Sequence, residues 1–224
     1  MAYTRDQATE THKDYAETIN NWEYYIRSYN GGYDYMTGQY LSRNIIQIYS
    51  SFLFRVRPSR DFGSMQDEAS LENFLKDADL EGNNLNAVIK QAQNYASIYG
   101  QCFMILDKPN IQTNTAAEEL DQDIRPYLSI VTSENVLDWN YGGTYMRVWY
   151  LDRIDTVYMP EREEPKLVDS VPNTIGKIPA VVLYNSKSHK RGIGQSDLTD
   201  IADLQKSIYN EYSEMEQLIR LTNH

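Results

Sequence analysis

The sequence predicts an α+β protein: N-terminal helices, then a central antiparallel or mixed sheet, then one long C-terminal helix. Three observations carry that prediction. Apolar residues recur at helical spacing through the first hundred positions, strand-length apolar runs follow between residues 101 and 185, and a single amphipathic pattern fills the last thirty. No repeat of 20–50 residues interrupts this order.

Tyr15, Ile19, Trp22, Ile26 and Tyr29 mark one face of a first helix, which Gly31-Gly32 should stop. "GGYDYMTGQY" reads as a loop. Ser42 is placed to cap a second helix whose buried stripe would be Ile45, Ile48, Tyr49 and Phe52, with Pro58 ending the pattern. Ser70 opens a short helix, and "EGNN" leads into a longer one that turns Leu85, Val88, Ile89, Ala92, Tyr95 and Ala96 inward and closes at Gly100. "QCFMILDKP" is of strand length and stops at Pro109. Residues 110–125 are polar and acidic, a surface excursion. "PYLSIV", "NVLDWNY" and "TYMRVWYLDRIDTVYM" read as strands, the last two joined by a turn at Tyr141-Gly142-Gly143. "PEREEPKLVD" is a charged turn, and "IPAVVLYN" a final apolar strand.

The closing helix should be capped by Ser196, with Asp197 at its positive end. Leu198, Ile201, Leu204, Ile208, Tyr212, Met215, Leu218 and Ile219 form one apolar stripe. Asp200, Asp203, Lys206, Asn210, Glu214 and Gln217 lie opposite. Such a helix packs either on its own domain or against something beyond it. The chain thus divides into an α+β unit over residues 1–191 and a long helical segment over 192–224.

Composition narrows the function. At 224 residues a sizeable core is within reach. A formal net charge of −11 opposes sequence-independent nucleic-acid binding, which needs clustered Lys and Arg to release counterions, but suits a surface that repels phosphate. The nineteen tyrosines, each apolar in body and polar at the tip, suit subunit contacts or core edges. One cysteine, Cys102, excludes an internal disulfide and fits a reducing compartment. No apolar run approaches the ~20 residues of a membrane span, and the N-terminus lacks a signal-peptide core, so a soluble protein made inside the cell is expected.

No catalytic pattern emerges. His12, His189 and His224 are in no ligand spacing, HExxH and Gly-x-Ser-x-Gly are absent, and Cys102 sits in an apolar run as a core thiol would. No catalytic residue, metal site or cofactor is therefore expected. Two basic clusters remain. In "SKSHKRGIGQSD", Lys187, His189, Lys190 and Arg191 precede Gly192 and Gly194 at a helix start, which could hold an anion; the simpler reading is a solvated loop. P-loop spacing fails. In "FRVRPSR", Arg55, Arg57 and Arg60 could meet an acidic neighbour in an assembly, touch phosphate, or be solvated.

Taken together, "NTIGKIPAVVLYNSKSHKRGIGQSDLTDIADLQKSIYNEYSEM" resembles a stretch of tailed-bacteriophage portal proteins, in which Gly-x-Ile-Pro leads to an apolar strand, a Gly-x-Ser-Asp-Leu loop and a helix. Here those are Gly176, Ile178, Pro179, Gly194, Ser196, Asp197 and Leu198, with Asn210 and Ser213 in the helix. "YLSRNIIQIYSSFLFRVRPSR", "NYASIYGQCFMILDKP" and "TSENVLDWNY" are similar to the same family's early helices, Tyr-Gly-x-x-Phe strand and Trp-containing strand. The likeness runs from about Tyr15 onward, and its weight lies in the order of the motifs rather than in any one of them.

The resemblance implies a wing-like α+β portion leading to the stem of a ring, usually of twelve copies, at one capsid vertex of the virion. Duplex DNA would be pumped in by a terminase and leave the same way, unread, through a subunit that hydrolyses nothing. Major capsid protein, head–tail adaptor and terminase are the implied partners, with no membrane involved. The family's chains are much longer, so this one is expected to be an N-terminal portion ending near the start of the stem, without clip, return stem helix, tunnel loop or crown. The expected subunit interface is Ile201, Leu204, Ile208, Tyr212, Met215 and Ile219, with Lys190, Arg191, Arg55 and Arg57 as anion or assembly contacts. Rival readings are another virion structural protein, such as an adaptor or capsid-associated protein; a phosphate- or nucleic-acid-binding enzyme using the Lys187–Ser196 loop; and an unrelated soluble α+β domain.

Overall fold

A computed structural model describes residues 16–30, 41–66, 68–109, 115, 118, 124–139, 146–148, 179–189 and 193–222. Four helices come first: α1 (Ala16–Tyr29), α2 (Leu41–Leu53), α3 (Ala69–Lys76) and α4 (Leu85–Tyr99). Strands β1 (Gln101–Asp107), β2 (Tyr127–Thr132), β3 (Val136–Trp139), β4 (Met146–Val148), β5 (Ala180–Tyr184), β6 (Ser186–Lys187) and β7 (Gly194–Gln195) follow, and α5 (Ile201–Thr222) closes the order. The class is α+β, as the periodicity predicts. Every described strand pairing is antiparallel. The loop at 31–40, most of the 110–125 excursion, the turn at Tyr141–Gly143, the charged turn after 159, and the strand pattern beyond Met146–Val148 lie outside the described residues. So do Gly176, Ile178, Lys190, Arg191, His12 and His224.

The main sheet has the order β2-β1-β5. Its central strand shows why alternation matters. Cys102 and Met104 face the small side chains of Ala92 and Ala96 on α4, while Phe103 and Ile105 face the opposite way. Cross-strand partners keep the same division: Met104 stands opposite Ile130, and Phe103 opposite Val131 and Val182. On the second side Phe103 and Val131 pack with Trp22 and Tyr25 of α1, Ile46 of α2, and Ile193, Leu198 and Ala202. The first turn of α5 and the segment before it therefore belong to the principal core. A smaller cluster of Ala78, Leu85 and Val88 joins α3 and α4 to Leu128 of β2. Arg125 secures that corner, pairing with the Asp77 carboxylate at 2.6 Å and donating to the Asp77 backbone carbonyl at the end of α3.

Local signals set the boundaries of α4. The Asn84 side chain accepts from the Ala87 N–H at 3.0 Å, an N-cap, and Gly100 ends the helix at φ 88° with its N–H on the Ala96 carbonyl. Within the sheet, the Cys102 thiol donates to the Ala92 carbonyl at 3.1 Å. Burial pushes this thiol from 9.0 up to about 12. Unfolded, it ionises near its ordinary value; folded, it keeps its proton, so stability is undiminished below about pH 9 and falls as pH rises toward 12. The native chain should resist maleimide at pH 8 and react on unfolding, and Cys102→Ala should flatten the alkaline fall in urea stability. Rapid labelling of native protein would contradict this placement.

The phase of α2 differs from expectation. Its buried residues are Ser42, Ile46 and Ser50, whereas Ile48, Tyr49 and Phe52, expected inside, are exposed by 56%, 62% and 70%. Ser42 is also not an N-cap but the second helical residue. Its N–H and hydroxyl both donate to Gln205 Oε1 of α5, the N–H at 3.1 Å, and its hydroxyl stands 2.9 Å from that of Ser28. The bonds that Ser42 makes to Gln205 and Ser28 let the less apolar face be the internal one, although the buried Ser50 hydroxyl on that face meets no acceptor or donor among the described residues.

Candidate functional site

Two surfaces stand out, and both begin from how α5 is rooted. Gly194 lies against Gly100 at the end of α4: a Cβ built on Gly194 would sit 1.9 Å from the Gly100 carbonyl oxygen. The Gly194 N–H donates to Gln101 Oε1 at 3.0 Å. Two residues on, the Ser196 hydroxyl donates to the Ile98 carbonyl at 2.5 Å, with the Ser97 carbonyl at 3.1 Å, and accepts the Leu198 N–H. The Asp197 N–H donates to the Ser97 carbonyl, and the Asp197 carboxylate accepts from Asn185 Nδ2 at 2.7 Å. Ser196 therefore does not cap α5, which begins at Ile201. It and Asp197 instead satisfy carbonyls that α4 leaves open at its C-terminus.

This latch bears on the anion reading of the Lys187–Ser196 loop. The N–H groups of Gly194, Asp197 and Leu198 are all committed to protein acceptors. Lys187 and His189 are exposed, while Lys190 and Arg191 lie outside the described residues.

Beyond the latch, α5 runs 22 residues, ~33 Å at 1.5 Å per residue. Ala202 and Gln205 are its only buried residues. Tyr209, Ser213 and Glu216 are half-buried on the same side, and every other residue of α5 after Gln205 is exposed. Each inward residue from Ala202 to Glu216 comes one position after an apolar one: Ile201, Leu204, Ile208, Tyr212 and Met215. One residue is about 100° of rotation, so the apolar stripe faces sideways from the body that carries it. Leu204 is 61% exposed, with Ile208, Tyr212, Met215 and Ile219 between 39% and 49%; Ile201 is half-buried. The expected interface residues thus share one surface, most of it uncovered.

The second surface is the outward side of α2. Ile48, Tyr49, Phe52, Leu53 and, just past the helix, Val56 are all exposed. Arg55 and Arg57 are exposed beside them. A cleft of about 600 Å³ opens where this segment meets α3 and α4, with Val56, Arg57, Pro58, Leu75, Lys76 and Lys90 in its lining. Periodicity alone hid this face, because the pattern that marks it is the one expected to be buried.

Among the described residues no group of three or more His, Cys, Asp or Glu is arranged to hold a metal ion, and no helix is long and apolar enough to cross a membrane. No protein-family model matches the chain, and no curated protein does.

Proposed function

We propose that the chain is a wall subunit of a portal ring, a homo-oligomer at a capsid vertex through which duplex DNA enters and leaves without being read. The observation that carries this reading is the phase of α5. A helix whose apolar stripe is turned about 100° from its own body leaves that stripe uncovered by any described residue, which is where a neighbouring copy can cover it. Copies arranged head to tail supply such cover to every subunit equally when the rotation closes. A net charge of −11 suits a conduit, since an acidic wall repels phosphate. The resemblance adds the particulars: twelve copies, a position in the virion, and capsid protein, adaptor and terminase as neighbours. Two of the motifs that carry it, Tyr99-Gly100 and Gly194 to Leu198, meet in one buried latch.

Electron microscopy of the purified chain tests the reading, with a ring whose channel admits duplex DNA as the expected image. Leu204→Asp supplies the mutational arm. At a position 61% exposed, it should leave the melting temperature of the subunit almost unchanged but abolish the ring, by placing an unpaired charge in the contact. A compact monomer at all concentrations, or rings undiminished by Leu204→Asp, would overturn it.

A further inference from the structure

We infer that the outward face of α2 is the acceptor for α5 of the next copy, so that the subunit contact is heterologous, stripe against a different face. This rests on the ring reading above and specifies the surface that covers the stripe. Both faces are apolar and uncovered by any described residue: Ile48, Tyr49 and Phe52 on one, Leu204, Ile208 and Met215 on the other. Their charges are complementary. Residues 41–60 hold four arginines and no carboxylate, whereas residues 197–216 hold six carboxylates and one lysine.

The distribution around α5 sharpens the match. At about 100° per residue, Asp200 and Glu211 border the stripe on the side away from the body, while Lys206 and Arg220 fall toward the body. Asp200 and Glu211 are exposed. On the acceptor, Arg55 and Arg57 follow directly after the apolar face, and Lys90 lines the adjoining cleft, where Glu72 is paired with Lys76. Two copies of the stripe set against each other would oppose carboxylate to carboxylate. Stripe against α2 sets carboxylate to guanidinium, which fixes the pairing and its register. A head-to-tail contact is also what a ring requires.

Complementation tests this. Ile208→Asp spoils the stripe and Phe52→Asp spoils the acceptor, both at exposed positions, so circular dichroism should show native folds. Each variant alone should self-associate at least about a hundredfold more weakly than the parent chain. Mixed, they should form a 1:1 dimer that grows no further, because one good stripe meets one good acceptor. Ile208→Cys mixed with Phe52→Cys should cross-link between copies under oxidation, Cys102 being buried. If Phe52→Asp assembles like the parent while Ile208→Asp does not, the acceptor is elsewhere and the ring reading survives. If both variants are monomeric but do not complement, these faces do not pair. A parent chain that never associates removes the ring reading itself.

Discussion

Gly194→Ala is expected to cost at least about 3 kcal/mol and, in a chain of ordinary stability, to leave much of the population unfolded. The added methyl would lie 1.9 Å from the Gly100 carbonyl oxygen, and 3.3 Å from that of Ser186. Neither obstacle can step aside as a side-chain tip can. The Gly100 carbonyl accepts the Asn185 N–H at 2.9 Å, and Gly194 is itself fixed through its N–H to Gln101. Relieving the clash means parting the segment from α4 and exposing the carbonyls that Ser196 and Asp197 now cover. Gly82→Ala is the control: Gly82 has φ +92° but nothing within 4 Å of the added carbon, so only the left-handed backbone is penalised, by about 1–2 kcal/mol. Urea unfolding of the two variants measures the difference. Equal losses would mean that the two glycines do not approach each other in solution.

That pair of glycines also shows what the sequence discloses and what it withholds. Gly100 is legible as the end of α4, because an apolar period stops there and a strand pattern starts. Gly194 reads as part of a solvated or anion-holding loop before a helix. Nothing local says that the two touch, since the contact spans more than ninety residues. The same limit explains Ser196. Ser-Asp-Leu before an amphipathic run is a fair cap signal, but the hydroxyl goes to α4 carbonyls almost a hundred residues upstream. Helices α1 and α4 and strands β1, β2 and β5 were legible because their period and their core coincide. For α2 the period was right and the phase wrong. Ranking faces by apolarity chooses Ile45, Ile48, Tyr49 and Phe52, and only the three-dimensional meeting of Ser28, Ser42 and Gln205 makes the serine-bearing side the inner one. The stripe of α5 was legible from Ile201 to Ile219, although Leu198, expected to extend it, is buried in the principal core. Its direction was not, for a one-residue shift turns it from the body to the solvent.

Gln205→Ala is expected to cost about 2–4 kcal/mol, large for a polar residue, because its amide serves two helix ends at once. Gln205 Oε1 accepts the Ser42 N–H, one of the donors that the start of α2 leaves open, together with the Ser42 hydroxyl. Gln205 Nε2 faces the carbonyl of Ser28, near the end of α1, at 3.4 Å. All three residues are buried, so water cannot replace the lost partners without opening the junction of α1, α2 and α5. Gln205→Leu should lose nearly as much, since restoring volume leaves the same groups unpaired. Adding Ser28→Ala and Ser42→Ala to Gln205→Leu should then recover part of the loss, because the two hydroxyls, which can satisfy only one of their donors between themselves, are removed as well. The recovery is the diagnostic result: a buried polar cluster predicts strong non-additivity, whereas three independent contacts predict that the losses simply add. Additive losses, or a single-variant cost under about 0.5 kcal/mol, would show that Gln205 does not hold the three helices together, and the outward phase of the α5 stripe would lose its structural cause.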